Sequence, residues 1–137
     1  MGSVGKKNIL RTFFIGTVLV ASLFVFTGVT SEAGFTYLEG VASWYAEFSP
    51  GIRQTTANME IFDHDKMTCA MWGMPFDSEI EVTNLDNGKK VTVRVNDRGP
   101  AKRLFKKGRV IDLTMAAFRE IEDLDAGLVR VRLRRIN

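Results

Sequence analysis

The chain has 137 residues, enough for one domain, with a net charge of +3 and a single cysteine, Cys69. One cysteine excludes an internal disulfide, and the absence of metal-ligand spacing around it predicts no metal and no other cofactor. Lys6, Lys7 and Arg11, offset only by Glu32, account for +2 of the +3, so the remainder is close to neutral. No basic stripe interleaved with aromatic residues follows, and nucleic acid is therefore not an expected partner.

Residues 1–33 have the pattern of a secretory signal. Basic residues precede an uncharged apolar run over residues 12–31, and Ser31 and Ala33 place small residues where signal peptidase reads, which predicts cleavage after Ala33. The run is also long enough to span a bilayer, so an uncleaved anchor is the alternative. No cysteine ends the run, so lipid attachment is not expected. We expect an exported protein of the periplasm, cell envelope or extracellular space, touching a membrane only through this segment.

Residues 34–137 predict a mainly β domain. Strands are expected at residues 40–45, 79–85, 91–95, 109–113 and 128–133, and short helices at 63–70 and 114–121, capped by Asp63 and Thr114. Residues 46–59 and the basic residues 101–108 are expected to form loops, and residues 86–88 a hairpin turn. A closed barrel would leave so small a domain without exposed sheet edges. Arginines 130, 132 and 134 share one face of the last strand, which indicates a solvated face.

The strand at residues 91–95 leads directly into a turn that carries a carboxylate. Its valines are expected to face the core while Thr92, Arg94 and Asn96 face outward. Gly-Pro then ends the pairing, so Asp97 lies at the rim of a rigid sheet, where catalytic groups are often held. The alternative is that Asp97 and Arg98 serve only the turn.

Six motifs occur in order along residues 40–113. They are Gly40-x-Ala-Ser-Trp-Tyr45, Thr56-Ala-Asn-x-Glu60-x-x-Asp63, Met67-Thr-x-Ala70 with Pro75-Phe76, Val82-Thr-Asn-Leu-x-Asn-Gly88, Val93-Arg-Val-Asn-Asp-Arg-Gly-Pro100 and Arg109-Val-Ile-Asp-Leu113. Together they resemble the rare lipoprotein A (RlpA) family. The resemblance implies a six-stranded double-psi β-barrel, here with two short helices behind the signal segment. It also implies an endolytic peptidoglycan transglycosylase that acts on glycan strands lacking stem peptides.

The resemblance carries the family's acidic pair onto Glu60 and Asp97. Breaking a β-1,4 glycosidic bond requires a proton on the leaving oxygen, which a carboxylic acid can supply. We expect Asp97 to be acid and then base while the C6 hydroxyl of the muramyl sugar attacks, giving a 1,6-anhydro end. Glu60 is expected to assist. The implied partner is the peptidoglycan glycan strand, and the protein is expected to be a monomer.

Five further residues are predicted to bind substrate. Trp44 and Tyr45 are candidates for a sugar-stacking platform, although adjacent strand residues face opposite sides and one of them is expected in the core. Thr56 and Asn58 could bond sugar hydroxyls or could instead satisfy their own loop. Arg98 lies next to Asp97.

One departure from the family pattern favours a different function. Met71 stands where the family commonly carries a histidine, and the only histidine, His64, lies seven residues earlier. The alternative function is therefore a non-catalytic glycan-binding or wall-loosening barrel of the expansin kind, and hydrolysis of a plain glucan by two carboxylates is a third. Asp112 is expected to have a structural role.

Overall fold

The computed structural model describes residues 29–32 and 35–137. Its strands are β1 (Val29–Glu32), β2 (Phe35–Tyr45), β3 (Thr68–Ala70), β4 (Glu79–Asn84), β5 (Lys90–Asp97), β6 (Arg109–Thr114) and β7 (Leu128–Arg135). Two helices, α1 (Lys102–Phe105) and α2 (Met115–Arg119), and a 3-10 turn (Leu124–Ala126) complete the elements. Apart from β1, the predicted signal segment lies outside the described residues. Within the described ranges no helix is long and apolar enough to cross a membrane.

The sheet closes into a six-stranded barrel. The strands follow the order β2-β6-β3-β5-β4-β7, and β7 pairs back onto β2 to complete the ring. β1 lies outside the ring as an antiparallel neighbour of β2. Two of the pairings, β2 with β6 and β3 with β5, are parallel, and the others in the ring are antiparallel. The predicted closed barrel of six strands is confirmed.

The core of the barrel is built from alternating strand residues. Val91, Val93 and Val95 of β5 are buried, as predicted, and each fully buried valine contributes about 1.5–3 kcal/mol. Buried side chains of every other strand of the ring and of α2 join them in one cluster. Asn96 departs from the expected alternation, because it is 3% exposed rather than outward-facing. The strand continues through Asp97, so Asp97 is the last residue of β5 and not part of a separate turn.

The predicted hairpin turn at residues 86–88 and the predicted helix cap at Thr114 are confirmed. Residues 86–88 connect β4 to β5, with Thr83 opposite Lys90 and Gly88 at φ 76°. Thr114 caps α2 and accepts the N–H of Ala117. These features need only short-range chemistry, namely a residue that tolerates positive φ and a hydroxyl at a helix start.

The predicted helix at 63–70 is wrong, although the number of short helices is right. Asp63 accepts the N–H of Asp65 in a turn, and the chain then enters β3 between β5 and β6. Pairing on both sides overrides the local helical preference of this segment. The other helix, α1, lies in the stretch expected to be a basic loop.

The three arginines on one face of β7 form ion pairs with neighbouring strands and with the hairpin. The pairs are Arg130 with Asp86, Arg132 with Glu39 and Arg134 with Glu81. This face is therefore solvated and balanced in charge, as the alternating pattern indicates.

Candidate functional site

Two carboxylates flank the end of the short central strand. Ala70 of β3 pairs with Asp97 of β5 on one side and with Asp112 of β6 on the other. Since adjacent strands lie about 4.8 Å apart, the backbones of the two acidic residues lie roughly 10 Å from each other, one on each side of β3. Both line a cleft of about 270 Å³. The fold therefore brings together two carboxyl groups that are 15 positions apart in sequence.

Asp97 is held by one of its two carboxylate oxygens. Its Oδ1 accepts the backbone N–H groups of Ala57 at 2.9 Å and of Arg98 at 2.8 Å. In the described part of the chain, Oδ2 makes no hydrogen bond that meets ordinary geometry. Asp97 also lines a second cleft of about 460 Å³. The carboxyl group is thus fixed in orientation while keeping an oxygen available in the cleft.

Three clefts adjoin one another around residues 46–62. Ile52 lines both clefts that contain Asp97, and it also lines a third cleft of about 440 Å³ that includes Arg53 and Ile61. We refer to these three clefts together as the groove. A set of adjoining clefts suits an extended chain molecule better than a compact ligand.

Asp112 belongs to the candidate site, although the sequence predicts only a structural role for it. Its Oδ1 accepts from Arg109 Nε at 2.7 Å and from Ser43 Oγ at 3.1 Å. The side chain is 15% exposed and lines the same cleft as Asp97. One sequence feature could have indicated this position: Asp112 is an acidic residue between two apolar ones, Ile111 and Leu113. In the structure the side chains of both neighbours are fully buried.

The adjacent aromatic residues on β2 do not form an exposed platform. Trp44 is half-buried and donates from Nε1 to the Leu124 carbonyl at 3.1 Å. Tyr45 is buried, with its ring stacked 4.7 Å from that of Phe62. The expectation that one of the pair lies in the core therefore holds for Tyr45. Both residues still line the Asp97 cleft.

The hydroxyl of Tyr45 is a buried polar group that forms no hydrogen bond of ordinary geometry within the described residues. Burial, and then the negative charge of Asp97, raise the pKa of Tyr45, and a hydrogen bond to Asp97 contributes to the same shift, so the hydroxyl keeps its proton. A buried donor is costly unless a partner satisfies it. The Asp97 carboxylate is the group beside the hydroxyl that can do so.

Exposed apolar side chains surround the groove, and the sequence reasoning missed them. Phe48, Met59 and Ile61 are 70%, 78% and 82% exposed. Met59 and Ile61 line the groove, and the Phe48 ring meets that of Trp44 edge to face at 6.4 Å. Sugar rings present apolar C–H faces that can rest on such side chains.

Glu60 belongs to a network beside the groove and does not line it. Its carboxylate accepts from Arg94 at 2.6 and 2.9 Å, from Asn96 at 3.0 Å and from Asn58 at 2.8 Å. These hydrogen bonds, with Arg94 first, lower the pKa of Glu60 to about 2, and the same contact raises the pKa of Arg94. Glu60 therefore ties the 46–62 loop to β5 as a carboxylate.

The other predicted binding residues are largely engaged by the protein itself. The Thr56 hydroxyl donates to Asn58 Oδ1 at 2.6 Å, and Asn58 also bonds Glu60, which matches the alternative that they satisfy their own loop. Arg98 donates to the carbonyls of Met71 and Met74 and lies 3.8 Å above the Phe76 ring. Only Thr56 and Arg98 of these three line the groove.

Met71 lies in the core. It is 2% exposed, packs in the main cluster and lines an apolar cleft with Leu38 and Leu133, not the groove. Position 71 therefore does not face the Asp97 cleft in this chain, and a histidine side chain there would not belong to that cleft. His64 contacts Glu47 at 3.0 Å.

Cys69 does not offer a reactive or metal-binding group. It is fully buried, and burial raises the pKa of its thiol. Among the described residues no group of three or more histidine, cysteine or acidic side chains is arranged to hold a metal ion.

Solved structures similar to this chain share its fold. The Streptomyces papain inhibitor covers 74% of the chain and 94% of its own length, with TM-score 0.57 and 22% identity. A mutant Clavibacter michiganensis expansin, solved in complex with cellohexaose, covers 74% of the chain and 50% of its own length, with TM-score 0.54 and 22% identity.

Relatives found by sequence have a higher identity to this chain than these structures do. Proteins named endolytic peptidoglycan transglycosylase RlpA are 45% identical over 105 residues in Vibrio cholerae, 47% over 98 in Pseudomonas aeruginosa and 35% over 132 in Campylobacter jejuni. These alignments include 77%, 72% and 96% of this chain. They span 37%, 27% and 43% of the relatives' own lengths, so the chain matches less than half of each.

A family model described as lytic transglycolase matches residues 37–133, which include the whole barrel ring except the first and last few residues. This match agrees with the RlpA resemblance and with the six-stranded double-psi β-barrel that it implies. The chain belongs to the lytic transglycolase family, with RlpA proteins among its relatives.

Proposed function

We propose that this protein is an exported lytic transglycosylase that cleaves β-1,4 glycosidic bonds in peptidoglycan glycan strands. The observation that carries the proposal is the state of Asp97, whose Oδ1 is anchored by two backbone N–H groups while Oδ2 remains open in the groove. Membership of the lytic transglycolase family and the names of the relatives support the same reaction.

In the proposed reaction Asp97 first acts as an acid. Its carboxyl proton moves to the glycosidic oxygen as the bond from that oxygen to C1 of the muramyl sugar breaks. The C6 oxygen of the same sugar then bonds to C1, and its proton passes to the Asp97 carboxylate. Asp97 ends in its starting state, and the new end is a 1,6-anhydro sugar formed without water.

The neighbouring residues would support this step in different ways. Asp112 lies in the same cleft and would stabilise positive charge that develops at C1. The Tyr45 hydroxyl would donate to Asp97, which lies beside it. Glu60 would act as a positioning residue, because it organises the loop that supplies the Ala57 N–H to Asp97.

Export and domain organisation belong to the same proposal. Residues 1–33 would direct the chain out of the cytoplasm as a signal segment or an anchor, and residues 34–137 would act as one barrel domain in the envelope. Peptidoglycan is found there, so substrate and enzyme would share a compartment.

A second candidate function is glycan binding without cleavage. Its support is that Glu60 accepts hydrogen bonds from three side chains and lies outside the groove, so the family's acidic pair does not act there together. The exposed apolar side chains along the groove would suffice for binding. Asp112 argues against this candidate, because it supplies a second carboxyl group in the Asp97 cleft.

One experiment separates the two candidates. The full chain and its Asp97→Asn variant are incubated with insoluble peptidoglycan from which stem peptides have been removed, and both bound protein and released sugar are measured. The proposal predicts that both proteins bind and that only the unmodified chain releases sugar. Binding by both with no release from either would instead support the non-catalytic barrel.

A further inference from the structure

A cluster of exposed cations lies beside the groove. Lys102, Arg103, Lys106 and Lys107 are all exposed, on α1 and the residues just after it. We call these four side chains the basic rim. Lys102 and Arg103 lie on α1, and Lys106 and Lys107 lie in the turn that follows it.

The basic rim groups four cations in six consecutive residues with no acidic residue between them. Across the described residues, none of the four side chains forms an ion pair, and the one interaction is that of Lys102 Nζ with the Trp72 ring at 5.7 Å. Three of the four arginines of β7, in contrast, each contact an acidic residue. Four like charges so close together repel one another unless an external anion offsets them.

The backbone fixes the basic rim next to the proposed catalytic cleft. Ala101, at the start of the segment, and Arg109, just after it, both line the cleft that contains Asp97 and Asp112. The Pro100 carbonyl accepts from Trp72 Nε1 at 2.7 Å, which anchors one end. The Gly108 carbonyl accepts from the Val41 N–H at 2.9 Å, which anchors the other.

We propose that the basic rim binds carboxylate groups carried by the glycan strand that occupies the groove. The inference rests on the proposed function and adds a specificity determinant to it. A muramyl sugar carries a lactyl carboxylate, which is a free anion when no peptide is attached, whereas a strand of N-acetylglucosamine alone is uncharged. The rim would therefore distinguish an acidic strand from a neutral one with the same linkage.

The placement favours a glycan over other polyanions. The exposed Phe105 among the cations would also suit an anionic membrane surface, but both ends of the segment line the catalytic cleft. The rim thus adjoins the cleft through Ala101 and Arg109. Ion pairs of this exposed kind are individually weak, so several must act together.

The test uses a triple variant of the full chain, Arg103→Gln, Lys106→Gln and Lys107→Gln. Lys102 is kept because it lies over Trp72. A matched control, Lys66→Gln, Lys89→Gln and Arg119→Gln, removes three exposed cations that lie outside the segment between Ala101 and Arg109. All proteins also carry Asp97→Asn so that strands remain intact. The probes are glycan strands freed of stem peptides, uncharged chitohexaose, and vesicles of phosphatidylglycerol.

We expect the rim variant to bind the acidic strands about tenfold more weakly than the control at low salt, because three exposed ion pairs are lost. Chitohexaose binding should be unchanged, and raised salt should abolish the difference on acidic strands. Equal binding of acidic strands by rim variant and control overturns this inference but leaves the proposed function intact. A loss confined to the vesicles overturns it in favour of a membrane surface. Failure of every protein to bind any glycan overturns both proposals.

Discussion

Asp97 and Asp112 approach the same residue from opposite sides, because both are strand partners of Ala70. Gly99 adjoins the space beside them. A Cβ added to Gly99 would lie 3.2 Å from Ala70 Cβ and 3.5 Å from Asp112 Oδ2. A side chain at Gly99 would therefore crowd Ala70 and come into contact with the Asp112 carboxylate. The cleft owes its two carboxyl groups to the parallel and antiparallel pairings of one three-residue strand.

Replacing Asp112 with asparagine should slow cleavage by about a hundredfold, as expected for the loss of a charge that stabilises the transition state. The asparagine oxygen can still accept from Arg109 and Ser43, so folding should be kept. Steady-state kinetics on peptide-free glycan strands, with melting temperature measured alongside, checks this expectation. An unchanged rate would return Asp112 to a purely structural role.

Glu60→Gln should lower stability near neutral pH, and this difference should fade in acid. The pKa of Glu60 falls from its ordinary value of 4.5 to about 2 in the folded protein, so its contribution is full above pH 4.5 and lost as pH falls toward 2. Since the side chain is 37% exposed, solvent screening limits the contribution to about 1 kcal/mol.

Melting temperatures of the two proteins from pH 7 down to pH 2 measure the Glu60 effect. The gap should be several degrees at pH 7, since about 1 kcal/mol shifts the melting temperature of a domain this size by about 4–8 °C. It should narrow across the interval from pH 4.5 to pH 2. A gap that stays constant over that interval would mean that the carboxylate charge of Glu60 does not stabilise the loop.

Tyr45→Phe should slow cleavage about threefold to tenfold, the value of one hydrogen bond, because the hydroxyl lies beside Asp97 and would donate to that carboxylate during the reaction. Stability should change little, since the ring keeps its stacking on Phe62. Initial rates on peptide-free strands, compared with thermal melting, separate the two effects. A fall in melting temperature with an unchanged rate would show that the hydroxyl serves the fold alone.

Met71→His should destabilise the protein without increasing cleavage. The Met71 site is buried among apolar side chains, and an imidazole there would lose about 1–3 kcal/mol for want of hydrogen-bond partners. Chemical denaturation gives the stability change, and the initial rate per folded molecule gives the activity. A faster rate at unchanged stability would place this position in the working site after all.

Local patterns in the sequence were enough to predict much of the barrel. The valines of β5, the hairpin at 86–88 and the cap at Thr114 each depend on residues within a few positions of one another. β3 was not predictable in this way, because it is a strand only through pairing with β5 and β6 on either side. It was wrongly predicted as a helix because a local sequence pattern contains no information about long-range strand pairing.

The site likewise contains residues that local sequence predicts and residues that only long-range pairing brings together. Asp97 was predictable from its position at the end of an alternating strand, whereas Asp112 reaches the cleft only through its pairing with Ala70. The partners of Glu60 come mainly from β5, more than 30 residues later, so its depressed pKa could not be foreseen. The exposure of Phe48 and Ile61 likewise depends on how the 46–62 loop lies on the barrel.

The most direct test of the proposed chemistry is cleavage of peptide-free glycan strands in water enriched in heavy oxygen, followed by mass spectrometry of the new ends. Intramolecular attack by the C6 hydroxyl predicts 1,6-anhydro ends that contain no heavy oxygen and that are not formed by the Asp97→Asn variant. New reducing ends that carry one heavy oxygen would contradict it, because water would then be the nucleophile and the barrel would be a hydrolase.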